Sequence, residues 1–196
     1  MDIAATKKGL RERAVALRDA LTPVERQEKS QACTARLAGT LSGMPAGIVS
    51  FYWPMRSELD PRPLVDLMMA AGWRACLPRL TGAGKPLDFH EFTAADGLVP
   101  GPFGTSEPSP DTVRMKPDMV LAPMLAFDRL GYRLGYGGGF YDRTLEDLRA
   151  GGRVLAIGLA FEVQRMDEVP IEAFDQKLDM VATEVALYET GAVRCG

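Results

Sequence analysis

Apolar residues in the N-terminal stretch recur at helical spacing. Leu10, Ala14, Leu17 and Leu21 are separated by charged positions, which predicts an amphipathic helix. Thr22-Pro23-Val24-Glu25 then restarts a helix, with Thr as N-cap, Pro at the first helical position and Glu completing a capping box. This second helix is expected to run to about Thr40, where Gly39 and Ser42-Gly43-Met44-Pro45 end it.

Beyond this point short apolar runs alternate with helical patterns. Ile48 to Trp53 reads as a buried strand. Asp60-Pro61 opens a helix carrying Leu64, Val65, Leu67 and Met68 that stops near Gly72, and Trp73 to Leu77 is the next strand. Residues 81 to 117 are rich in Gly and Pro, with one strand over Leu87 to Phe92. Met119 to Leu125 is another buried strand, Phe140 to Arg149 a helix, Val154 to Ala160 a strand, and Met180 to Thr183 the last substantial one. The β-α-β order predicts a single α/β domain over residues 1–196. Its sheet is largely parallel and flanked by helices, with the two N-terminal helices packed on it.

Composition changes this picture little. Hydrophobic residues make up 46% and charged residues 25%, as in ordinary globular chains. A formal net charge of −3 gives no general attraction for nucleic acid, so an anionic ligand must be met by local cations. Cys33, Cys76 and Cys195 lie far apart and form no zinc-ligand spacing, so free thiols in a reducing compartment are expected. The N-terminus, with Lys7, Lys8, Arg11, Glu12 and Arg13, has no signal-like apolar stretch, and no run is long enough for a bilayer. A cytoplasmic protein is expected, without a membrane, nucleic-acid or obligatory protein partner.

The chemistry concentrates after the Met119 strand. Gly135-Tyr136-Gly137-Gly138-Gly139 is followed at once by the helix that begins Phe140-Tyr141-Asp142-Arg143. Glycines let backbone N–H groups approach a ligand closely, and a helix N-terminus adds a positive dipole end, so the turn suits phosphate. It is not a Walker loop, which needs GxxxxGK, nor a dinucleotide GxGxxG fingerprint. A tight connection with glycines needed only for packing explains the bare cluster equally well. Arg133 and Arg143 bracket the turn with charge suited to phosphate, and Tyr136, Phe140 and Tyr141 add flat surfaces. Asp142 suits helix capping and Mg²⁺ binding about equally.

The run Arg133-Leu134-Gly135-Tyr136-Gly137-Gly138-Gly139-Phe140-Tyr141-Asp142 resembles the hallmark of the 5-formyltetrahydrofolate cyclo-ligases, Arg-Leu-Gly-x-Gly-x-Gly-aromatic-Tyr-Asp. The resemblance extends over nearly the whole chain. Lys7-Lys8-Gly9-Leu10-Arg11 is similar to the family's basic ATP-binding segment. Ser50 to Glu58 is similar to a strand and turn with a substrate-contacting glutamate. Phe174 to Asp179 is similar to an acidic segment with a second Mg²⁺-associated aspartate. The sequence departs from some members by having Tyr136 and Gly138 where they carry Arg and Lys. It also has Phe174 where many have His, which leaves His90 as the only histidine and makes a histidine general base unexpected there.

The resemblance implies ATP-dependent closure of 5-formyltetrahydrofolate to 5,10-methenyltetrahydrofolate, with Mg²⁺ as cofactor. It implies that ATP is held by Lys7, Lys8, Gly9, Leu10 and Arg11, together with Arg133, Leu134, Gly135, Tyr136, Gly137, Gly138, Gly139, Phe140 and Tyr141. Asp142 and Asp175 would hold Mg²⁺, and Arg133 and Asp142 would carry the catalytic assignment. Trp53, Glu58, Tyr136 and Phe140 would line the folate pocket. Taken without the resemblance, Glu58 reads as a solvated turn residue and Trp53 as core. Two other classes share such an architecture: a non-catalytic nucleotide- or sugar-phosphate-binding regulator, and a CoA transferase or phosphosugar isomerase. The second class depends on a glutamate beside the glycine turn, and none adjoins Gly135 to Gly139.

Overall fold

The computed structural model describes residues 3–93 and 97–190, so Cys195 lies outside the described residues. Helix α1 spans Ile3–Asp19 and α2 spans Pro23–Leu41, and α2 carries the capping box read from Thr22 and Glu25. The chain continues through β1 (Ile48–Ser50), α3 (Arg62–Ala70), β2 (Arg74–Arg79) and β3 (Asp88–Phe92). Next come β4 (Val99–Pro100), β5 (Ser106–Glu107), β6 (Met119–Pro123), β7 (Ala126–Phe127) and β8 (Arg133–Leu134). Helix α4 (Phe140–Ala150), β9 (Leu155–Leu159), β10 (Met180–Ala182) and β11 (Leu187–Glu189) complete the order.

The main sheet has seven strands in the order β11-β10-β9-β6-β1-β2-β3. The five inner strands are parallel, and antiparallel β3 and β11 close the two edges. Residues along the inner strands alternate between two cores, because successive side chains point to opposite faces. Ala75, Leu77, Met119, Leu121 and Ile157 join the core under α2 and α3. Cys76, Val120, Ala122, Ala156 and Val181 join the core under α4. Burial on both faces explains why these strands read as continuous apolar runs. The result is the expected α/β domain. Its β1 is shorter than the expected Ile48–Trp53 strand, although the Phe51 N–H still bonds the Cys76 carbonyl at 3.1 Å.

Helix α1 sits differently from α2. Its Ala14 packs with Leu125, Ala126, Leu134 and Val169, around the β7–β8 hairpin. Its inward stripe is Lys7, Ala14 and Arg18, while Leu17 is exposed. Of the expected apolar face, Ala14 is buried and Leu10 and Leu21 are half-buried, but Leu17 faces solvent, and the cations Lys7 and Arg18 point inward.

Parallel strands reach β1 from two directions: β2 lies on one side and β6 on the other. The loops leaving β1 and β6 thus diverge at the carboxyl edge, the usual crevice of an open α/β sheet. Among the described residues, no helix is long and apolar enough to cross a membrane.

Candidate active site

The loop after β6 is built first by the β7–β8 hairpin. Buried Asp128 accepts the backbone N–H groups of Leu130 (2.9 Å), Tyr132 (3.1 Å) and Val169 (3.0 Å), fixing the hairpin turn. This sets Arg133 on β8, where its Nη2 donates to Asp142 Oδ1 at 2.6 Å and its Nη1 to the Gln176 carbonyl at 2.7 Å. Burial lowers the Arg133 pKa, and the neighbouring Asp142 carboxylate acts against that shift.

The glycine turn follows. Gly137 has φ +101° and Gly139 +63°, and Gly139 is the N-cap of α4, with no side chain capping it. Both positions lie in the left-handed region that L side chains disfavour. Residues 136 to 138 are exposed ahead of the α4 N-terminus. Asp142 is inside the first turn of α4 and caps nothing. Its carboxylate is taken by Arg133 and by the Gln176 N–H at 3.0 Å.

Helix α1 supplies the other wall. Lys7 Nζ lies 2.6 Å from Asp175 and 2.8 Å from Glu172. Burial works against the Lys7 charge, but these two carboxylates outweigh it and raise its pKa. Arg11 Nε donates to the Gly135 carbonyl at 2.9 Å, and its guanidinium stands beside Gly137. Gly9 and Lys8 are exposed, and Leu10 is half-buried in the core around Ala14.

Glu58 arrives from the loop after β1. It is buried, which pushes its carboxyl above the usual range; its Oε2 accepts the Met55 N–H at 2.9 Å. Its Oε1 accepts the Tyr136 hydroxyl at 2.9 Å, so the glycine turn and the β1 loop are hydrogen-bonded across the crevice. Arg18 of α1 donates to that same hydroxyl at 3.0 Å. A groove of about 400 Å³ begins at Glu58 and is lined by Arg26, Gln31 and Arg62.

The remaining expected residues are more dispersed. Trp53 leans on Phe92 (ring centroids 6.0 Å apart) and carries Arg62 over its ring at 4.9 Å. Phe140 belongs to the opposite core and carries Arg143 over its ring at 5.5 Å. Burial also raises the Tyr141 hydroxyl pKa.

The model of the 5-formyltetrahydrofolate cyclo-ligase family matches residues 3–184, nearly the whole described chain. The chain belongs to that family. This is an enzyme family, and the chain is an enzyme of it. It is 34% identical over 178 residues to the 5-formyltetrahydrofolate cyclo-ligase of Escherichia coli K12, covering 88% of this chain and 97% of that one. It is 38% identical over 156 residues to the cyclo-ligase of Mycolicibacterium smegmatis, covering 75% and 79%. Its fold is similar to the solved Aquifex aeolicus 5,10-methenyltetrahydrofolate synthetase, with a TM-score of 0.77 at 27% identity over 97% of this chain and 95% of that one.

Within the family frame, the structure adds three residues that the sequence reading did not single out. Arg18 reaches Tyr136 and Ser57, Ser57 anchors Arg18 Nε at 2.9 Å, and Glu172 shares Lys7 with Asp175. Only Glu172 had a local signal, as an acid close to Asp175. Arg18 sits between Leu17 and Asp19, a context that reads as a solvated helix face.

Proposed function

We propose that this chain closes 5-formyltetrahydrofolate to 5,10-methenyltetrahydrofolate at the expense of ATP, with Mg²⁺, in the crevice between the glycine turn and Glu58. The observation that carries the reading is the Tyr136–Glu58 hydrogen bond. It joins the glycine turn to a buried carboxylate across one cleft, which supports a reaction between ATP and a pterin there.

The Gly135 to Tyr141 turn, with the α4 N-terminus behind it, receives the phosphates. Arg11 and Lys7 add charge from α1, and Lys8, Gly9, Leu10 and Leu134 complete the ATP side. Glu58 accepts hydrogen bonds from the pterin N–H edge, with Tyr136 beside it and Trp53 and Phe140 as the aromatic surfaces of the folate pocket. The formyl oxygen attacks the γ-phosphorus, an O–P bond forms and ADP leaves. N10 then attacks the activated carbon, and phosphate and the N10 proton depart. No protein nucleophile is needed, and Arg133 and the turn act by positioning and charge.

The donor set at Asp142 and Asp175 fits Mg²⁺. Gln176, which follows Asp175, gives its N–H to Asp142, and Arg133 feels both carboxylates. Among the described residues, no group of three or more Asp, Glu, His or Cys could hold a metal alone. Two carboxylates completed by phosphate oxygens are a usual Mg²⁺ environment. Bound there, Mg²⁺ would neutralise phosphate charge. Lys7 and Arg133, now paired with these aspartates, hold their charge in place without it.

Purified protein given ATP, Mg²⁺ and 5-formyltetrahydrofolate is expected to develop the near-ultraviolet absorbance of the methenyl product, one ADP per turnover. Glu58→Ala is expected to remove at least about 99% of turnover, since a lost charged hydrogen bond is worth about 1.5–3 kcal/mol and two are at stake. It should leave ATP affinity nearly intact. Folded, ATP-binding protein that makes no product would favour the regulator instead.

A further inference from the structure

Arg18 has no part in the site as assigned, yet it is the most deeply buried cation of α1, with 1% exposure. Its Nε donates to Ser57 Oγ, which itself donates to Asp19, and its Nη2 donates to the Tyr136 hydroxyl. Its Nη1 is buried without a hydrogen-bond partner and stands 3.9 Å from Glu58 Oε1. A guanidinium buried with an unsatisfied N–H is costly, and a nearby buried carboxylate is what offsets such a cost.

Arg18 is the cation paired with Glu58, and it acts with the Met55 N–H and the Tyr136 hydroxyl, whose hydrogen bonds also favour the carboxylate. From its own loop the Met55 N–H donates and Arg56 adds positive charge, and from the glycine turn Tyr136 donates its hydroxyl. The Tyr52 and Tyr141 hydroxyls nearby have raised pKa values, from burial first and then from the Glu58 charge, and so stay neutral. Arg62, at the groove, is held by Asp60, and Arg26 lines the same groove while donating to the Leu21 carbonyl.

We propose that Arg18 is a positioning residue of the folate site: it aims the Tyr136 hydroxyl at Glu58 Oε1 and keeps Glu58 ionised, so that the carboxylate meets the pterin as an acceptor only. This rests on the assignment of Glu58 to folate. A protonated Glu58 would turn one oxygen into a donor facing N–H donors, and binding would weaken. Removing the Arg18 charge favours the neutral acid, so protonation begins at higher pH. The loss of affinity must therefore grow as pH falls and recover as pH rises.

The test is calorimetric affinity for 5-formyltetrahydrofolate without ATP, from pH 6 to 8.5, in wild type, Arg18→Met, Arg18→Lys, Tyr136→Phe, the Arg18→Met/Tyr136→Phe double variant and Glu58→Gln. Arg18→Met is expected to weaken folate binding about 10-fold at pH 7, the scale of one charged hydrogen bond, and more at pH 6. Its ATP affinity should change less than about 2-fold, well under the energy of such a bond. Arg18→Lys should restore the flat pH profile but only part of the affinity, because an ammonium cannot fork to Ser57 and Tyr136 together. The double variant should lose less than the sum of the single ones, as two members of one network do. An Arg18→Met profile parallel to wild type, or equal losses for folate and ATP, overturns the proposal. If Arg18→Met does not fold, Tyr136→Phe decides, since it removes one hydroxyl from a half-exposed ring; wild-type folate affinity in that variant is equally fatal. If Glu58→Gln binds folate as wild type does, the Glu58 assignment itself fails and takes the Arg18 proposal with it.

Discussion

Gly137 holds φ at +101°, and a Cβ there would stand 3.4 Å from the Arg11 guanidinium. Gly137→Ala therefore strains the turn by about 1 kcal/mol, the usual cost of a left-handed L residue, and crowds a cation assigned to phosphate. The expected result is a melting temperature lower by about 2–4 °C and an ATP affinity weaker by about 10-fold, read by calorimetry. Unchanged ATP affinity in the folded variant would remove the turn from the phosphate assignment. Residues of this kind were legible, because glycine needs at special φ and the run from Arg133 to Asp142 are written locally. Asp142 was half legible: its residue type allowed a cap or a metal ligand, but did not show its bonds to Arg133 and to the Gln176 N–H, the latter from far along the chain. Arg18 was not legible, since a buried arginine depends on partners, Ser57 and Tyr136, that lie far along the chain.

Elements show the same division between local and long-range information. The start of α2 is local. Thr22 Oγ1 accepts the Glu25 N–H at 3.2 Å, and Glu25 Oε2 accepts the Thr22 N–H at 2.7 Å, as the tetrapeptide predicts. Thr22→Ala is expected to cost about 1 kcal/mol, or about 2–4 °C in melting temperature, with ATP affinity unchanged. A loss of ATP affinity in that variant would mean that α2 reaches the site more directly than its cap contacts indicate. The face of α1 was not local. Leu17 fitted the apolar period, but the helix packs against a small hairpin and turns Lys7 and Arg18 inward with Ala14, while half-buried Arg11 donates to the Gly135 carbonyl. Short strands β7, β8 and β11 also escaped the reading, because two or three residues carry no period and are defined by their partners. The inner strands were legible because burial on both faces makes them apolar throughout.

At the scale of the whole molecule, the two cores that flank the sheet each bury a thiol, Cys33 of α2 on one face and Cys76 of β2 on the other, under α4. Burial pushes both thiols up to about 12 from an ordinary 9.0. In the unfolded chain each loses its proton near pH 9, while the folded chain keeps it. The unfolded state then binds fewer protons, and stability must fall as pH rises through that window. Each thiol contributes a slope of at most about 1.4 kcal/mol per pH unit. Tyr52 and Tyr141, whose pKa values burial also raises, add the same sign from their ordinary 10.0 upward. Lys7 has a raised pKa through Asp175 and Glu172, so its stabilisation is complete below 10.5 and is lost only as pH passes its higher folded value. Every one of these groups acts in one direction on the alkaline side. The melting temperature is therefore expected to be flat from pH 7 to about 8.5 and to fall by roughly 5–10 °C by pH 10. A Cys33→Ala/Cys76→Ala variant should start lower, because each change leaves a small cavity, but should fall less over the same range. A wild-type melting temperature that stays level to pH 10 would mean that the two thiols reach solvent, and that the sheet is not sealed on both faces as the alternation of its inner strands requires.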